Sequence, residues 1–385
     1  MPRDVGGDAS RTITINPNDT DKPSHDGTLI QEVRRMRTKT LFTRLTARVM
    51  LALLALVAMN GLAIVAAQDT EPSGTILAYA GHQEEWALLT VQEFQRQYPN
   101  VTVEFIRMSG GAALSRIRAE QARPQASVWW GGPADTFIAA AGEGLLEPYV
   151  SPEAARIDAR FKDEDGTWTG FYVGILGFTL NERAFAELDV APPESWQDLL
   201  RPEFRDRIVM ANPGTSGTAY TVLATLVQLM GEEEAFAYLR ELHSNVQQYP
   251  TSGSAAGQMA GLGEVAIGID FGHAVPQLAA QGYPVFGAYP EEGTGFEIGA
   301  IALLADAPNP ELAKLFIDFV LSAEGQELGA RAGAFQLLTH ADATSPAEAI
   351  PLDQAVLIDY DFTWAGANRQ RLVERWDDEI FTAPR

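Results

Sequence analysis

The hydroxyl side chains of a glycine-rich stretch at residues 212–218 are the strongest candidates for binding a small anion. The stretch, Asn-Pro-Gly-Thr-Ser-Gly-Thr, lies between a predicted strand at 208–210 and a predicted helix at 218–230. The first turn of a helix has free backbone N–H groups and a partial positive charge. Helix capping needs only one hydroxyl, so the additional hydroxyls and glycines favour a ligand site. We predict that this site is formed by Thr215, Ser216, Gly217 and Thr218.

Two further glycine-rich turns lie next to predicted strands. The turn at residues 108–111 precedes a predicted helix, so we predict a second anion site there, formed by Ser109, Gly110 and Gly111; an ordinary N-cap is the alternative. The second turn follows two adjacent tryptophans. Neighbouring side chains of a strand point to opposite faces. We therefore predict that Trp129 packs in the core and that Trp130 and Gly131 lie at the ligand site.

Titratable side chains at three other places could complete the site. His82 follows the first predicted strand and could donate a hydrogen bond to a solute oxygen; a solvated loop histidine is the alternative. Asp270 and His273 end a predicted strand at residues 264–271, and Glu297 immediately precedes another at 298–304. In open parallel sheets, ligands bind outside the carboxyl ends of the strands. We therefore predict that His82, Asp270 and His273 contact the solute; satisfaction of the backbone at a strand end is the alternative for Asp270.

An exported serine hydrolase is the competing class of protein. Ser216, His273 and an acid could form a triad of nucleophile, base and orienting group. However, Thr218 stands where the Gly-x-Ser-x-Gly nucleophile elbow requires glycine. The sequence has no cysteine for thiolate chemistry, and its five histidines do not pair at metal-ligand spacing. We therefore predict binding without catalysis and without a metal or other cofactor.

The acidic composition argues against nucleic acid as a partner. The 385 residues carry a formal net charge of −23, and residues 1–67 hold nine of the 28 basic and six of the 51 acidic side chains, which leaves 19 and 45. A phosphate backbone would be repelled by this charge. Salt screens the field beyond roughly 8–10 Å, so short-range donors can still bind an anionic solute. A cationic solute, such as a polyamine, is the alternative and would use Asp270, Glu292 and Glu297.

The N-terminal part of the sequence has the features of an export signal. Residues 1–35 are polar and are predicted to be disordered or an over-extended gene start. Residues 36–67 contain basic side chains, an apolar run at 49–59 and small residues at 65–67, which predict a secretory signal peptide. A transmembrane anchor is the alternative, but the run is shorter than the roughly 20 residues that a bilayer needs. We expect a periplasmic protein with no lipid-modified cysteine.

Strand-like and helix-like segments alternate from residue 75 onwards. A predicted strand at 75–79 is followed by a helix at 84–98, which Pro99 ends, and by a strand at 101–106. Repeated βαβ units predict an α/β fold in which mostly parallel sheets are flanked by helices. Because no Pro/Ser-rich linker divides the chain, we expect two lobes that are joined by crossing strands.

The order and spacing of these segments resemble a known family. Residues 75–85 (TILAYAGHQEE), 170–181 (GFYVGILGFTLN) and 210–220 (MANPGTSGTAY) are similar to the solute-binding proteins of ABC importers, in the branch named after ferric-ion-binding proteins. Further matching stretches lie at 128–134, 193–199, 247–271, 290–302 and 309–322. The resemblance covers nearly all of residues 73–335, and within the branch it is strongest for members that bind sugar phosphates or phosphonates.

The resemblance implies a two-lobed clamshell of the type 2 periplasmic-binding-protein fold. The implied first lobe comprises residues 73–173 plus 298–385, and the second comprises 178–287, with hinge crossings near 172–179 and 287–299. A small anionic organic solute, such as a sugar phosphate or phosphonate, would bind between the lobes of a monomer and be delivered to an ABC permease. Sugar-phosphate-binding relatives have a histidine, a following acidic residue and a glutamate here; His273 and Glu297 keep this pattern and Ala274 breaks it.

The resemblance also leaves a second alternative to the proposed class, namely a ferric-iron-binding protein. Iron-binding members use a pair of neighbouring tyrosines as phenolate ligands near the end of the strand at 264–271. This sequence has Phe271 and Gly272 at that place, and Tyr249 and Tyr283 are not adjacent. We therefore expect no bound metal.

Overall fold

The computed structural model describes residues 71–384, which form eleven α-helices and eleven β-strands. The predictions of a disordered segment at 1–35 and of a signal peptide at 36–67 lie outside these residues. Among the helices of the described part, none is both long and apolar enough to cross a membrane.

The strands and helices alternate along most of the chain, as the sequence pattern predicts. The strands are β1 (Gly74–Ala80), β2 (Val101–Arg107), β3 (Val128–Pro133), β4 (Leu146–Glu147), β5 (Thr169–Asn181), β6 (Ile208–Val209), β7 (Val246–Gln248), β8 (Ile267–Phe271), β9 (Val285–Ala288), β10 (Phe296–Leu304) and β11 (Leu337–Leu338). The helices are α1 (Glu84–Gln97), α2 (Gly110–Glu120), α3 (Ala134–Gly142), α4 (Glu182–Leu188), α5 (Gly217–Met230), α6 (Glu232–Leu242), α7 (Ser254–Leu262), α8 (Ala274–Ala280), α9 (Pro310–Leu321), α10 (Ala323–Arg331) and α11 (Phe362–Trp376).

The first lobe is built on a sheet with the strand order β2-β1-β3-β10-β5. β1 pairs in parallel with both β2 and β3, whereas β10 runs antiparallel to β3 and β5. Helices α1 and α2 connect the parallel strands. Because these strands run in the same direction, Ala80, Arg107 and Pro133 end at the same edge of the sheet, where a ligand site is expected.

Strand β5 continues from the first lobe into the second. Residues from Thr169 to Ile175 pair with β10, and residues from Leu176 to Asn181 pair with β8 and β9. In the second lobe, β6 runs parallel to both β8 and β7. The change of pairing partner therefore falls between Ile175 and Leu176. The second connection between the lobes runs from β9 to β10. The lobe boundaries and hinge positions given above stay predictions.

The first sheet has a hydrophobic core on each face. Trp130 packs with Trp86 and Phe316 on one face, and Trp129 packs with Phe137 on the other. The rings of Trp129 and Phe137 are stacked, with centroids 4.0 Å apart. The two adjacent tryptophans thus point to opposite faces, as strand geometry requires, and both are buried.

Helix α11 packs against elements of both lobes. Its side chains Ala365, Leu372 and Trp376 join the hydrophobic core of the second lobe. On another side, a Cβ built on Gly366 would lie 2.6 Å from Ile138 Cγ2 on α3 in the first lobe. The absence of a side chain at Gly366 therefore permits close packing of α11 on α3.

The start of α9 differs from the usual cap. The sequence Asn309-Pro310 predicts that Asn309 caps the helix, and the helix does begin at Pro310. However, Asn309 adopts a left-handed backbone conformation with φ of 50°, and its side chain makes no capping hydrogen bond. Instead Asn309 Nδ2 donates to the Thr75 carbonyl at 2.8 Å. The asparagine thereby ties α9 to the first strand.

Candidate ligand-binding cleft

A cleft of about 430 Å³ lies between the two lobes. Loops that follow β1, β2 and β3 line it from the first lobe, and loops that precede α5, α7 and α8 line it from the second. A cleft of this volume fits a small organic solute. One end is rich in helix starts and hydroxyls, and the rest of the lining includes buried acids and histidines.

Three helix starts come together at the first end, which we call the anion seat. It comprises the starts of α2, α5 and α7 and the side chain of Arg107. A Cβ built on Gly110 would lie 3.7 Å from the Gly217 Cα, and one built on Gly253 would lie 2.2 Å from Thr218 Oγ1. No side chain separates these helix starts, so their N–H groups and hydroxyls can converge on one bound group.

Among the described residues that line the cleft, Arg107 is the only Lys or Arg. It ends β2, and its Nε donates to the His82 carbonyl at 3.2 Å. Its Nη2 donates to Ser254 Oγ at 3.3 Å across the cleft. A guanidinium held at this place can make charge-assisted hydrogen bonds to a phosphate or phosphonate group.

The hydroxyls at the three helix starts have different roles. Ser216 Oγ caps α5 by accepting the Ala219 N–H at 3.2 Å. Ser109 precedes α2, but its side chain makes no capping hydrogen bond, so its hydroxyl is free for a ligand. Both residues line the cleft, as do Gly110, Gly217 and Thr218. Five residues predicted from two separate turns are therefore brought together at the anion seat.

The rest of the cleft lining contains two buried carboxyl groups. Asp270 and Glu297 are 4% and 2% exposed. Burial raises the pKa of Asp270 to about 7, although the backbone N–H groups of Phe271 and Gly257 oppose this shift. Burial also raises the pKa of Glu297 well above its usual value, and the Asp270 charge adds to this shift. A solute group that donates hydrogen bonds, such as a hydroxyl, would satisfy these acids.

Two neutral histidines also line the cleft. Burial lowers the pKa of His273 to about 4, and its Nδ1 lies 3.9 Å from Glu297 Oε1. Burial lowers the pKa of His82 to about 3, against a weaker opposing effect of the Trp130 backbone. The His82 ring packs on Trp130 and Trp86, with centroids 4.3 and 4.9 Å apart. His82 and His273 both line the cleft.

Four predicted residues do not line the cleft. Trp130 is 1% exposed and belongs to the hydrophobic core. Gly131 has a φ of 88° and packs under the His82 ring, where a Cβ would lie 2.5 Å from Nδ1. Gly111 abuts the Gly214 carbonyl, 2.4 Å from where its Cβ would be. The Thr215 hydroxyl donates to the carbonyls of Asn212 and Thr251. These four residues therefore lie next to the cleft lining and are not part of it.

The structure adds residues to the cleft that the sequence analysis did not select. They are Gln83, Arg107, Tyr172, Ser252, Gly253, Ser254, Gln277 and Gln336, among others. Two features in this set could have been recognised from the sequence. Ser252-Gly253-Ser254 repeats the Ser/Gly composition of the predicted turns before a helix, and Arg107 ends a parallel strand. The glutamines could not be recognised in this way, because β11 is only two residues long and its pairing with β5 is not visible in the sequence.

The described residues offer no evident site for a metal ion. Within residues 71–384, no group of three or more His, Cys, Asp and Glu side chains is arranged to hold one. Tyr172 lines the cleft, and burial raises the pKa of Tyr172 and of Tyr289, of Tyr289 to about 12.

Comparison with known proteins assigns the chain to a family. A family model described as bacterial extracellular solute-binding protein matches residues 135–369, which is more than half of the chain. A protein of Haemophilus influenzae, described only as uncharacterized, is 38% identical over 347 residues, which cover 88% of this chain and 98% of that protein. The chain belongs to the family of bacterial extracellular solute-binding proteins.

Solved structures agree with this assignment. The periplasmic binding protein AfuA from Actinobacillus pleuropneumoniae, with exogenous fructose-6-phosphate bound, is 38% identical with a TM-score of 0.78, and the match covers 81% of this chain and 100% of AfuA. Iron-bound HitA from Pseudomonas aeruginosa has a TM-score of 0.67 at 21% identity, covering 79% of this chain and 99% of HitA, which shows the fold alone. The predicted two-lobed α/β fold is confirmed.

Proposed function

We propose that this protein captures a small phosphorylated or phosphonate-like organic solute between its lobes and delivers it to an ABC permease. The observation that carries the proposal is the anion seat, where three helix starts converge beside Arg107. Hydrogen bonds to an ionised group contribute roughly 1.5–3 kcal/mol each. Three such bonds would supply much of the roughly −8 kcal/mol that corresponds to micromolar affinity.

The similarity to AfuA supports the same class of solute. AfuA has been solved with fructose-6-phosphate, and it is 38% identical to this chain over its whole length. A sugar phosphate would place its phosphate in the anion seat and its hydroxyls against Asp270, Glu297 and His273. The two kinds of lining, helix starts with hydroxyls and buried acids with histidines, match a molecule that has one anionic group and several hydroxyls.

A cationic solute is the second candidate. Four of the five side chains of Asp, Glu, Lys and Arg that line the cleft are acidic, namely Glu84, Glu85, Asp270 and Glu297. A polyamine would favour their ionised forms. However, burial raises the pKa of Asp270 and Glu297, and Glu84 and Glu85 are exposed at the rim. The negative potential at the cleft is thus weaker than the residue count suggests. Ferric iron is disfavoured, because Phe271 and Gly272 stand where iron-binding members have neighbouring tyrosines.

The contacts of Ser216 support binding without turnover. Its hydroxyl accepts a backbone N–H at the start of α5. Within residues 71–384, no hydrogen bond joins its side chain to His273, which a serine hydrolase would need for its nucleophile. This supports a transport protein over an exported hydrolase.

Export and closure complete the proposal. We place the protein in the periplasm as a monomer, after cleavage of the signal peptide at 36–67, with no lipid-modified cysteine and no nucleic-acid partner. We place the lobes at 73–173 plus 298–385 and at 178–287, with the hinge near 172–179 and 287–299. Hinged closure around a ligand is the usual motion of such a fold.

A thermal-shift panel tests the proposal directly. The purified protein is scanned with fructose 6-phosphate, 2-aminoethylphosphonate, inorganic phosphate, ferric citrate and putrescine. A ligand present at 100 times its dissociation constant adds about 2.7 kcal/mol of stability. Stabilisation by the phosphorylated compounds is expected, and stabilisation by ferric ion or putrescine alone would contradict the proposal. Incubation with p-nitrophenyl esters and phosphates should release no product.

A further inference from the structure

Gln336 presents a buried side-chain oxygen at the cleft. The residue lines the cleft and is only 2% exposed. Its Oε1 has no hydrogen-bond partner among the described residues. A buried acceptor without a partner is destabilising. A ligand that donates a hydrogen bond at this place would remove that penalty.

The side-chain amide nitrogen of Gln336 is held by hydrogen bonds that run through two further glutamines. Gln336 Nε2 donates to Gln83 Oε1 at 3.1 Å, and Gln83 Nε2 donates to Gln277 Oε1 at 3.1 Å. We call these three residues the glutamine chain. Gln336 and Gln83 belong to the first lobe, and Gln277 lies on α8 in the second. The glutamine chain therefore crosses the mouth of the cleft and is complete only when the lobes are close together.

Gln336 lies beside the part of the sheet that carries Glu297. It immediately precedes β11, whose Leu337 pairs with Val173 of β5. Glu297 pairs with the next residue of β5, Gly174. A Cβ built on Gly174 would lie 2.8 Å from His273 Nδ1 and 3.1 Å from Glu297 Oε1. Since Gln336 continues β11 towards Gly174, it lies beside the strand residue that Glu297 and His273 approach.

We propose that Gln336 determines specificity by accepting a hydrogen bond from a hydroxyl in the non-phosphate part of the solute, and that Gln83 and Gln277 hold its oxygen in that position. The inference rests on the function proposed above and extends it. Gln336 Nε2 already donates one of its two hydrogens to Gln83, whereas Oε1 has no partner among the described residues, so Oε1 is the atom that we assign to the solute. Gln277 acts as a positioning residue, because it fixes the amide of Gln83 without contacting the solute group itself.

The test compares two probes that share an anion but differ in hydroxyls. Isothermal titration calorimetry measures the affinities for fructose 6-phosphate and, by displacement where needed, for inorganic phosphate. Gln336→Leu should weaken binding of fructose 6-phosphate by about 10-fold and leave that of inorganic phosphate unchanged. Gln277→Leu should lower the ratio of the two affinities by about 3-fold. Gln277→Glu keeps an acceptor for Gln83 and should retain the ratio, because its added charge affects both anions alike.

Gln354→Leu serves as the matched control. Gln354 is exposed, does not line the cleft and has no side-chain hydrogen bond within residues 71–384, so its variant should keep the ratio. Unchanged unfolding midpoints show that the variants fold. Equal losses for both probes in Gln336→Leu, or no loss at all, would overturn the inference and leave the proposed function standing. A native protein that binds neither probe would overturn both.

Discussion

Replacing Arg107 by glutamine tests the anion seat at its only cationic side chain. The guanidinium donates to Ser254 Oγ at 3.3 Å across the cleft and is exposed to solvent. A charge-assisted hydrogen bond contributes roughly 1.5–3 kcal/mol, and solvent screening at an exposed side chain favours the lower figure. We therefore expect Arg107→Gln to weaken binding of fructose 6-phosphate by about 10-fold.

Calorimetry at several salt concentrations shows how much of the affinity lost in Arg107→Gln is due to the lost charge and how much to the changed shape of the side chain. The difference between the Arg107→Gln variant and the native protein should shrink at 1 M NaCl, where the Debye length is about 3 Å. Arg123→Gln is the control, since it changes the net charge equally at an exposed position that does not line the cleft. If both variants bind with native affinity at low salt, Arg107 does not contact the solute and the anion seat is misplaced.

Three further changes give distinct outcomes. Gly253→Ala places a Cβ 2.2 Å from Thr218 Oγ1 and should weaken phosphate binding several-fold, whereas native affinity would show that Thr218 does not face the anion. Asp270→Asn should alter the pH dependence of unfolding. The pKa of Asp270 is about 7 in the folded protein and about 3.9 in the unfolded chain. The native protein therefore loses up to about 4 kcal/mol of stability as pH rises between these values, and the variant lacks this loss. A pH-independent difference in the free energy of unfolding between the two proteins would contradict the buried placement. Trp130→Ala should cost about 3–5 kcal/mol in urea unfolding while fructose 6-phosphate affinity stays within a few-fold; a selective loss of affinity would place Trp130 at the ligand.

Features that depend on local sequence could be predicted. The helix start at Gly217 follows from the hydroxyl and glycine pattern, and the end of α1 follows from Pro99. The alternation of Trp129 and Trp130 across β3 follows from strand geometry. The family resemblance added the two-lobed arrangement, which no local pattern specifies. Together, the local patterns and the resemblance predict that Ser109, Ser216 and Thr218 lie at one cleft.

Features that depend on long-range packing could not be predicted. Gln336 reaches the cleft through the two-residue strand β11, and Gln83 meets Gln277 only because the two lobes come together. Thr215 looks equivalent to Ser216 in the sequence, yet its hydroxyl turns towards backbone carbonyls. The choice between neighbouring hydroxyls is decided by helix register and by loop contacts, which a single sequence does not specify.

The most direct test of the account is a calorimetric titration of the purified protein with fructose 6-phosphate, with putrescine and ferric citrate as parallel titrants. The account predicts saturable binding of one sugar phosphate per chain, without turnover, and little heat from the other two compounds. Saturable binding of putrescine or ferric ion, with no response to any phosphorylated compound, would contradict it.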